Sequence, residues 1–126
     1  MAQIVRTPKN SLNESFTPGG SIDFANFTTA ILTGAGWILC FFQGVVLEAS
    51  GSANLISMQF KIDGIGRSES VKYITMPISG YVSVDLMLAI RLGAGQHTFL
   101  LNGTTTAGAA TLLANIGAMT IWEPGY

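Results

Sequence analysis

Two stretches of this sequence carry no charged side chain: residues 24 to 47, between Asp23 and Glu48, and residues 92 to 122, between Arg91 and Glu123. A helix that spans a bilayer needs about 20 mostly apolar residues, so both windows are long enough. Their composition argues against it. The first holds Asn26, Thr28, Thr29, Thr33, Gly34, Gly36, Gln43 and Gly44; the second holds His97, Asn102, "GTTTAGAAT" and Asn115, so each apolar run breaks before it reaches spanning length. The longest pure stretch is "WILCFF". Thr, Gly, Val, Ile and aromatic residues outnumber good helix formers, and the breaks fall where hairpin turns are useful. The windows therefore read as strands, and no membrane partner is expected.

The rest of the chain has the same two-residue period. In "YVSVDLMLAIRL", Val82, Val84, Leu86, Leu88 and Ile90 face one way while Ser83, Asp85 and Arg91 face the other. In "LISMQFKID", Ile56, Met58, Phe60 and Ile62 alternate with Ser57, Gln59, Lys61 and Asp63. "SIDFAN" alternates similarly, and "SVKYITMPI" is a strand ending near Pro77, whose missing N–H favours an edge or a bend. "TGAG", "DGIG" and "GAG" mark turns. This pattern predicts seven or eight strands, no convincing helix, and an antiparallel sandwich or barrel.

At 126 residues the chain suits one domain with one core. Residues 1 to 20 are polar, carry Pro8 and Pro18 and end in "TPGG", which predicts an extended N-terminal arm outside the core, with the domain proper over residues 21 to 126. Charged residues are 10% of the chain against the usual quarter or so, and apolar residues are 48%. Residues 37 to 47 and 111 to 122 read as apolar on both faces, so one outer sheet face should be covered, and copies of the same chain are the simplest cover.

Several function classes lose support on chemistry. A net charge of −1 with no Lys/Arg run lacks the footprint of a nucleic-acid binder. The lone Cys40 allows no internal disulfide and reads as a small buried hydrophobe. One His and one Cys make no metal cluster, no cofactor motif is present, and His97 has no obvious catalytic partners nearby, so a structural or interface role is expected. Asp23, Asp63 and Asp85 could in principle meet around calcium, but read more simply as solubilising acids. "MAQIVRTPKNSLNESF" lacks an apolar signal core, so synthesis in a cytoplasm is expected and the sequons at Asn13, Asn26 and Asn102 read as chance matches. Trp37, Phe41, Phe42, Phe99 and Trp122 lie within apolar strands, which favours a core or a subunit seam over a sugar platform.

"GAGQHTFLLNGTTTAGAATLLANIGAMTIWEPG" resembles the last two strands of the small C1q/TNF-like jelly rolls of bacteriophage virion proteins, and "FANFTTAILTGAGWILCFFQGVV" followed by "SMQFKIDGIG" is similar to their earlier strands and "F-x-x-D-G" hairpin. The likeness covers residues 20 to 124. It implies an all-β antiparallel jelly-roll sandwich of about eight strands and a tight homotrimer with apolar strands at the axis, here through Trp37, Phe41, Phe42, Phe99 and Trp122. It further implies a capsid decoration (cement) protein in the virion, with the major capsid protein as partner through the trimer base and arm residues Ile4, Val5, Arg6 and Lys9. The alternative implied role is a receptor- or glycan-binding tip of a head or tail fibre, with a host surface receptor as partner. Neither role needs an enzyme activity. The chain departs from the pattern in having no collagen-like or coiled-coil stalk before the domain, which favours the decoration role.

Overall fold

A computed structural model describes residues 2–17, 19–48, 54–76, 79–106 and 110–125. Two antiparallel sheets stack into a jelly-roll-like sandwich. The chain enters as β1 (Gln3–Pro8) and β2 (Glu14–Ser15), followed by the long β3 (Ser21–Thr33) and β4 (Gly36–Glu48). Next come β5 (Asn54–Ile62), β6 (Ile65–Gly66), a 3-10 turn at Ser68–Ser70, and β7 (Lys72–Met76). The chain ends with β8 (Gly80–Leu92), β9 (Gly95–Thr105), β10 (Ala110–Leu112) and β11 (Ala118–Glu123).

The six-stranded sheet is built on β4. Strand β8 pairs with it along its whole length, from Gly36↔Leu92 to Glu48↔Gly80, while β11 and β10 lie end to end along its other side. Beyond them, β1 pairs with β11 and β2 with β10. The five-stranded sheet runs β3-β9-β5, with β6 and β7 sharing the far side of β5. Asp63 and Gly64, both at positive φ (53° and 81°), form the two-residue β5–β6 turn expected of an Asp-Gly pair.

The alternation seen in the sequence fixes the core. Ile56, Met58, Phe60 and Ile62 of β5 are buried, as are Val84, Leu86 and Leu88 of β8, while Ser83, Asp85 and Arg91 point to solvent. Strand β3 breaks the alternation: its pairing with β9 slips between Asp23 and Thr28, so Phe24 and Phe27, three apart, both turn inward. Phe27 then meets Phe42 edge to face, 5.3 Å between centroids. The charge-free segment 111 to 122 is not one strand but two. Gly117 (φ 94°) sits where a Cβ would lie 2.0 Å from the Gln43 carbonyl oxygen, so the chain turns there against β4 before starting β11.

Residues 1 to 20 need a correction. The segment's strands, residues 3 to 8 and 14 to 15, lie on the sandwich. Residues 3 to 8 add a strand to β11, and Phe16 is buried edge to face on Phe24 at 5.1 Å. A Cβ on Gly103 would come within 2.6 Å of the Phe16 ring, so this glycine makes the room that Phe16 occupies. The Asn26 amide at the β3 irregularity donates to the Pro8 carbonyl at 3.1 Å, and its oxygen accepts the Asn10 N–H. The Asn26 side chain thus satisfies backbone groups of the N-terminal segment and ties it to the β3 irregularity. A segment with this many obligations is part of the domain.

Candidate functional site

The outer face of the six-stranded sheet collects the side chains that the core does not use. Because side chains alternate, Trp37, Leu39, Phe41, Val45 and Leu47 of β4 point away from the core while Ile38, Cys40, Phe42 and Val46 point into it. Registered neighbours extend this face sideways. Ile4, Trp122, Leu39 and Ala89 form one cross-strand row, and Arg6, Thr120, Phe41 and Met87 form the next. Ile4 is 68% exposed, Met87 65%, Trp37 41% and Trp122 39%, and the Arg91 guanidinium lies 5.7 Å from the Trp37 ring centroid. Scattered exposed apolar residues are ordinary; a contiguous patch across four strands is what makes this face the candidate interaction surface.

A groove of about 730 Å³ crosses this face toward the Ser68–Ser70 turn. Phe41, Met87, Gln43 and Thr120 line it, together with Arg6, Glu69, Lys72 and Asp85. Lys72 and Asp85 pair at 2.7 Å, which holds the Asp85 carboxyl below its ordinary range. Arg6 and Glu69 are both exposed, and neither has an ion pair or a side-chain hydrogen bond among the described residues.

The structure divides the expected seam. Trp37, Phe41 and Trp122 lie on the outer face. Phe42, 2% exposed, and Phe99, fully buried, fill the core and cannot touch a partner, a correction that follows from strand period: Phe41 and Phe42 are consecutive and must face opposite ways. The same parity rule, applied to β4 and carried across to β8, would have added Leu39, Val45, Leu47 and Met87. The expected arm contacts divide too. Ile4 and Arg6 join the outer face of the six-stranded sheet. Val5 packs toward the core, and the Lys9 ammonium is buried on Glu14 (3.0 Å), Asn10 Oδ1 (2.9 Å) and the Leu12 carbonyl, so neither is presented to a capsid.

Other titratable groups are occupied structurally. His97 Nδ1 contacts Asp63 Oδ2 at 2.7 Å and its Nε2 donates to the Gly93 carbonyl at 2.8 Å, while Thr98 N–H donates to Asp63 Oδ1 at 2.8 Å. The Asp63 hydrogen bond, aided by the Gly93 carbonyl, raises the His97 pKa; the His97 and Thr98 donors lower that of Asp63. With both ring nitrogens engaged, His97 clasps the β5–β6 turn to the β8–β9 turn. Asp23 accepts from Asn102 (2.8 Å) and pairs with Lys61 (3.2 Å). The three aspartates considered for calcium thus have separate partners, Lys61, His97 and Lys72, and no group of metal-ligating side chains forms among the described residues. Burial pushes the Cys40 thiol up to about 12, as for an inert hydrophobe. The buried Glu123 carboxylate accepts from Gln3 Nε2 and from Gly34 N–H, both at 2.9 Å, and buckles β1 and β11 to the β3–β4 turn.

Among the described residues no helix is long and apolar enough to cross a membrane. No protein-family model matches the sequence, and no curated protein matches it. Solved structures do share the fold. A chain in the structure of infectious bursal disease virus, Gx strain, superposes with a TM-score of 0.65 at 9% identity over 98% of this chain and 33% of that one. Dimeric latent PorU from Porphyromonas gingivalis superposes with a TM-score of 0.59 at 14% identity over 97% of this chain and 13% of that one. This chain therefore spans about a third and about an eighth of the length of these two neighbours, and what it has in common with them is a jelly-roll-like β-sandwich.

Proposed function

We propose that the protein is a virion structural protein of the C1q/TNF-like kind, a homotrimer that decorates a bacteriophage capsid. The observation that carries this reading is the apolar outer face of the six-stranded sheet, where Ile4, Trp37, Phe41, Met87 and Trp122 lie together and remain half-buried or exposed. Burial of such a face between identical chains supplies the association energy. The fold held in common with a chain of a virus structure is compatible with this role. Cementing then falls to the trimer base, since residues 3 to 8 are tied into the sheet and are not free to extend as an arm over a neighbouring capsid protein. Many weak contacts repeated over a shell add up through effective concentration. The role needs no catalysis and no cofactor. The test is to strip the protein from purified capsids and add it back: heat resistance should fall and then return. Unchanged heat resistance after stripping would end the cementing reading.

A second reading, a receptor- or glycan-binding tip, draws on the same groove, whose mixture of Phe41 with amide, hydroxyl and charged groups suits a saccharide. Glycan-array binding that is lost on replacing Phe41 while the trimer persists would favour it.

A further inference from the structure

We infer that Arg6 of one copy pairs with Glu69 of the next, and that this ion pair sets the register in which the apolar faces meet. The inference rests on the self-association proposed above and adds the residues that orient it. Both side chains line the groove, one from β1 and the other from the Ser68–Ser70 turn. Arg6 belongs to β1, and its row runs through Thr120 and Phe41 to Met87 on β8, three strand spacings or about 14 Å away. Glu69 lies on the Ser68–Ser70 turn, which packs beside β8. The two cannot meet within one chain.

Between them the groove is electrically quiet, since Phe41 and Met87 are uncharged and Lys72 and Asp85 neutralise each other at 2.7 Å. What remains is one cation on β1 and one anion on the Ser68–Ser70 turn, neither with an ion pair among the described residues, across a groove of mixed lining. A second copy fits this pattern because every copy carries both halves. In a closed ring each chain offers Arg6 to one neighbour and Glu69 to the other, and an alignment that set Arg6 against Arg6 and Glu69 against Glu69 would place like charges together over an apolar surface. Apolar burial supplies the affinity, and the charges select the alignment.

The full chain and its R6E, E69R and R6E/E69R variants should be compared by sedimentation equilibrium, with circular dichroism to confirm folding. Each single reversal should weaken self-association about tenfold or more, and the double reversal should restore it to within about threefold, with raised salt weakening the wild type. R6Q and E69Q provide the same comparison, at smaller amplitude, if a reversal fails to fold. Wild-type assembly that neither single change weakens, or that the double reversal fails to restore, overturns the pairing and leaves the apolar seam standing. A wild type that stays monomeric at about 100 µM overturns the seam, and the pairing falls with it.

Discussion

The two outward faces of this sandwich are made by strands of similar length, yet they answer to different surroundings. On the five-stranded sheet, Ser57 and Gln59 of β5 face Thr104 and Asn102 of β9. Hydroxyl meets hydroxyl at Ser57 and Thr104, the Asn102 amide donates to Asp23, and Lys61 pairs with Asp23. Apolar side chains such as Leu32, Leu55 and Tyr73 are exposed singly among them. On the six-stranded sheet the corresponding positions hold Trp37, Leu39, Phe41, Met87 and Trp122, and their few charges gather at the rims. A face built of Ser, Thr, Asn and Lys is finished in water. A face built of Trp, Phe, Leu and Met leaves apolar area in water that an apolar cover would remove.

The largest effect should come from crossing from the outer face to the inner one at a single peptide step. Phe42→Ala empties a fully packed site against Phe27 and should cost about 3–5 kcal/mol at any protein concentration, read from the denaturant midpoint. Phe41→Ala, one residue away but on the half-buried outer face, should cost the isolated chain far less and act mainly on assembly. Equal losses of monomer stability from both would break the distinction between the two sides of β4.

Next in size is the outer face itself. Replacing Trp122 or Met87 by Ser should weaken self-association by about 30-fold, the equivalent of about 2 kcal/mol for a residue near the centre of an interface. Gln59→Ala on the opposite sheet should leave assembly unchanged. Sedimentation of the variants decides it, and a Gln59 effect as large as that of Trp122 would mean that the polar face is covered as well.

How much of this was legible depends on whether the signal was local. The alternation in β5 and β8 lies within nine and thirteen residues; β5 buries all four residues it picked out, and β8 buries Val84, Leu86 and Leu88 and half-buries Val82 and Ile90. Phe42 and Phe99 were legible too, had period two been applied to each strand instead of grouping aromatics by type. The N-terminal strand was not legible. "QIVRTP" is polar and ends in proline, and what draws it onto the sheet is a ladder to β11, at the far end of the sequence, and the Gln3–Glu123 bond. Nor could the burial of Lys9 be seen, because a buried lysine is intelligible only with its Glu14, Asn10 and Leu12 partners in place. The paired inward turn of Phe24 and Phe27 depends on a register slip against β9, which no single-strand pattern contains.

The smallest effect tests the polar side of the comparison, where structure is held by pairs with no apolar cover. His97 and Asp63 join two turns at one end of the five-stranded sheet. His97 has a raised pKa in the fold, so its share of the stability is complete below the ordinary histidine value of about 6.5 and is lost as pH rises through the higher folded value. Asp63 has a lowered pKa, so its share is present above about 3.9 and is lost as pH falls through the folded value. The pair therefore contributes most between about pH 4 and pH 6.5. Since the Asp63 side chain is 45% exposed, solvent should screen the contribution to below about 1 kcal/mol. Asp63→Asn keeps a residue tolerant of φ 53°, removes the charge and leaves one of the two acceptor oxygens, which can still take the Thr98 N–H. The difference in denaturant midpoint between wild type and this variant should shrink as pH rises from 6 to 9, and the other carboxylates, common to both proteins, cancel in the comparison. A difference that held constant across that range would mean that His97 keeps the turns together through shape and neutral hydrogen bonds alone, and that charge pairing is not what distinguishes the polar side.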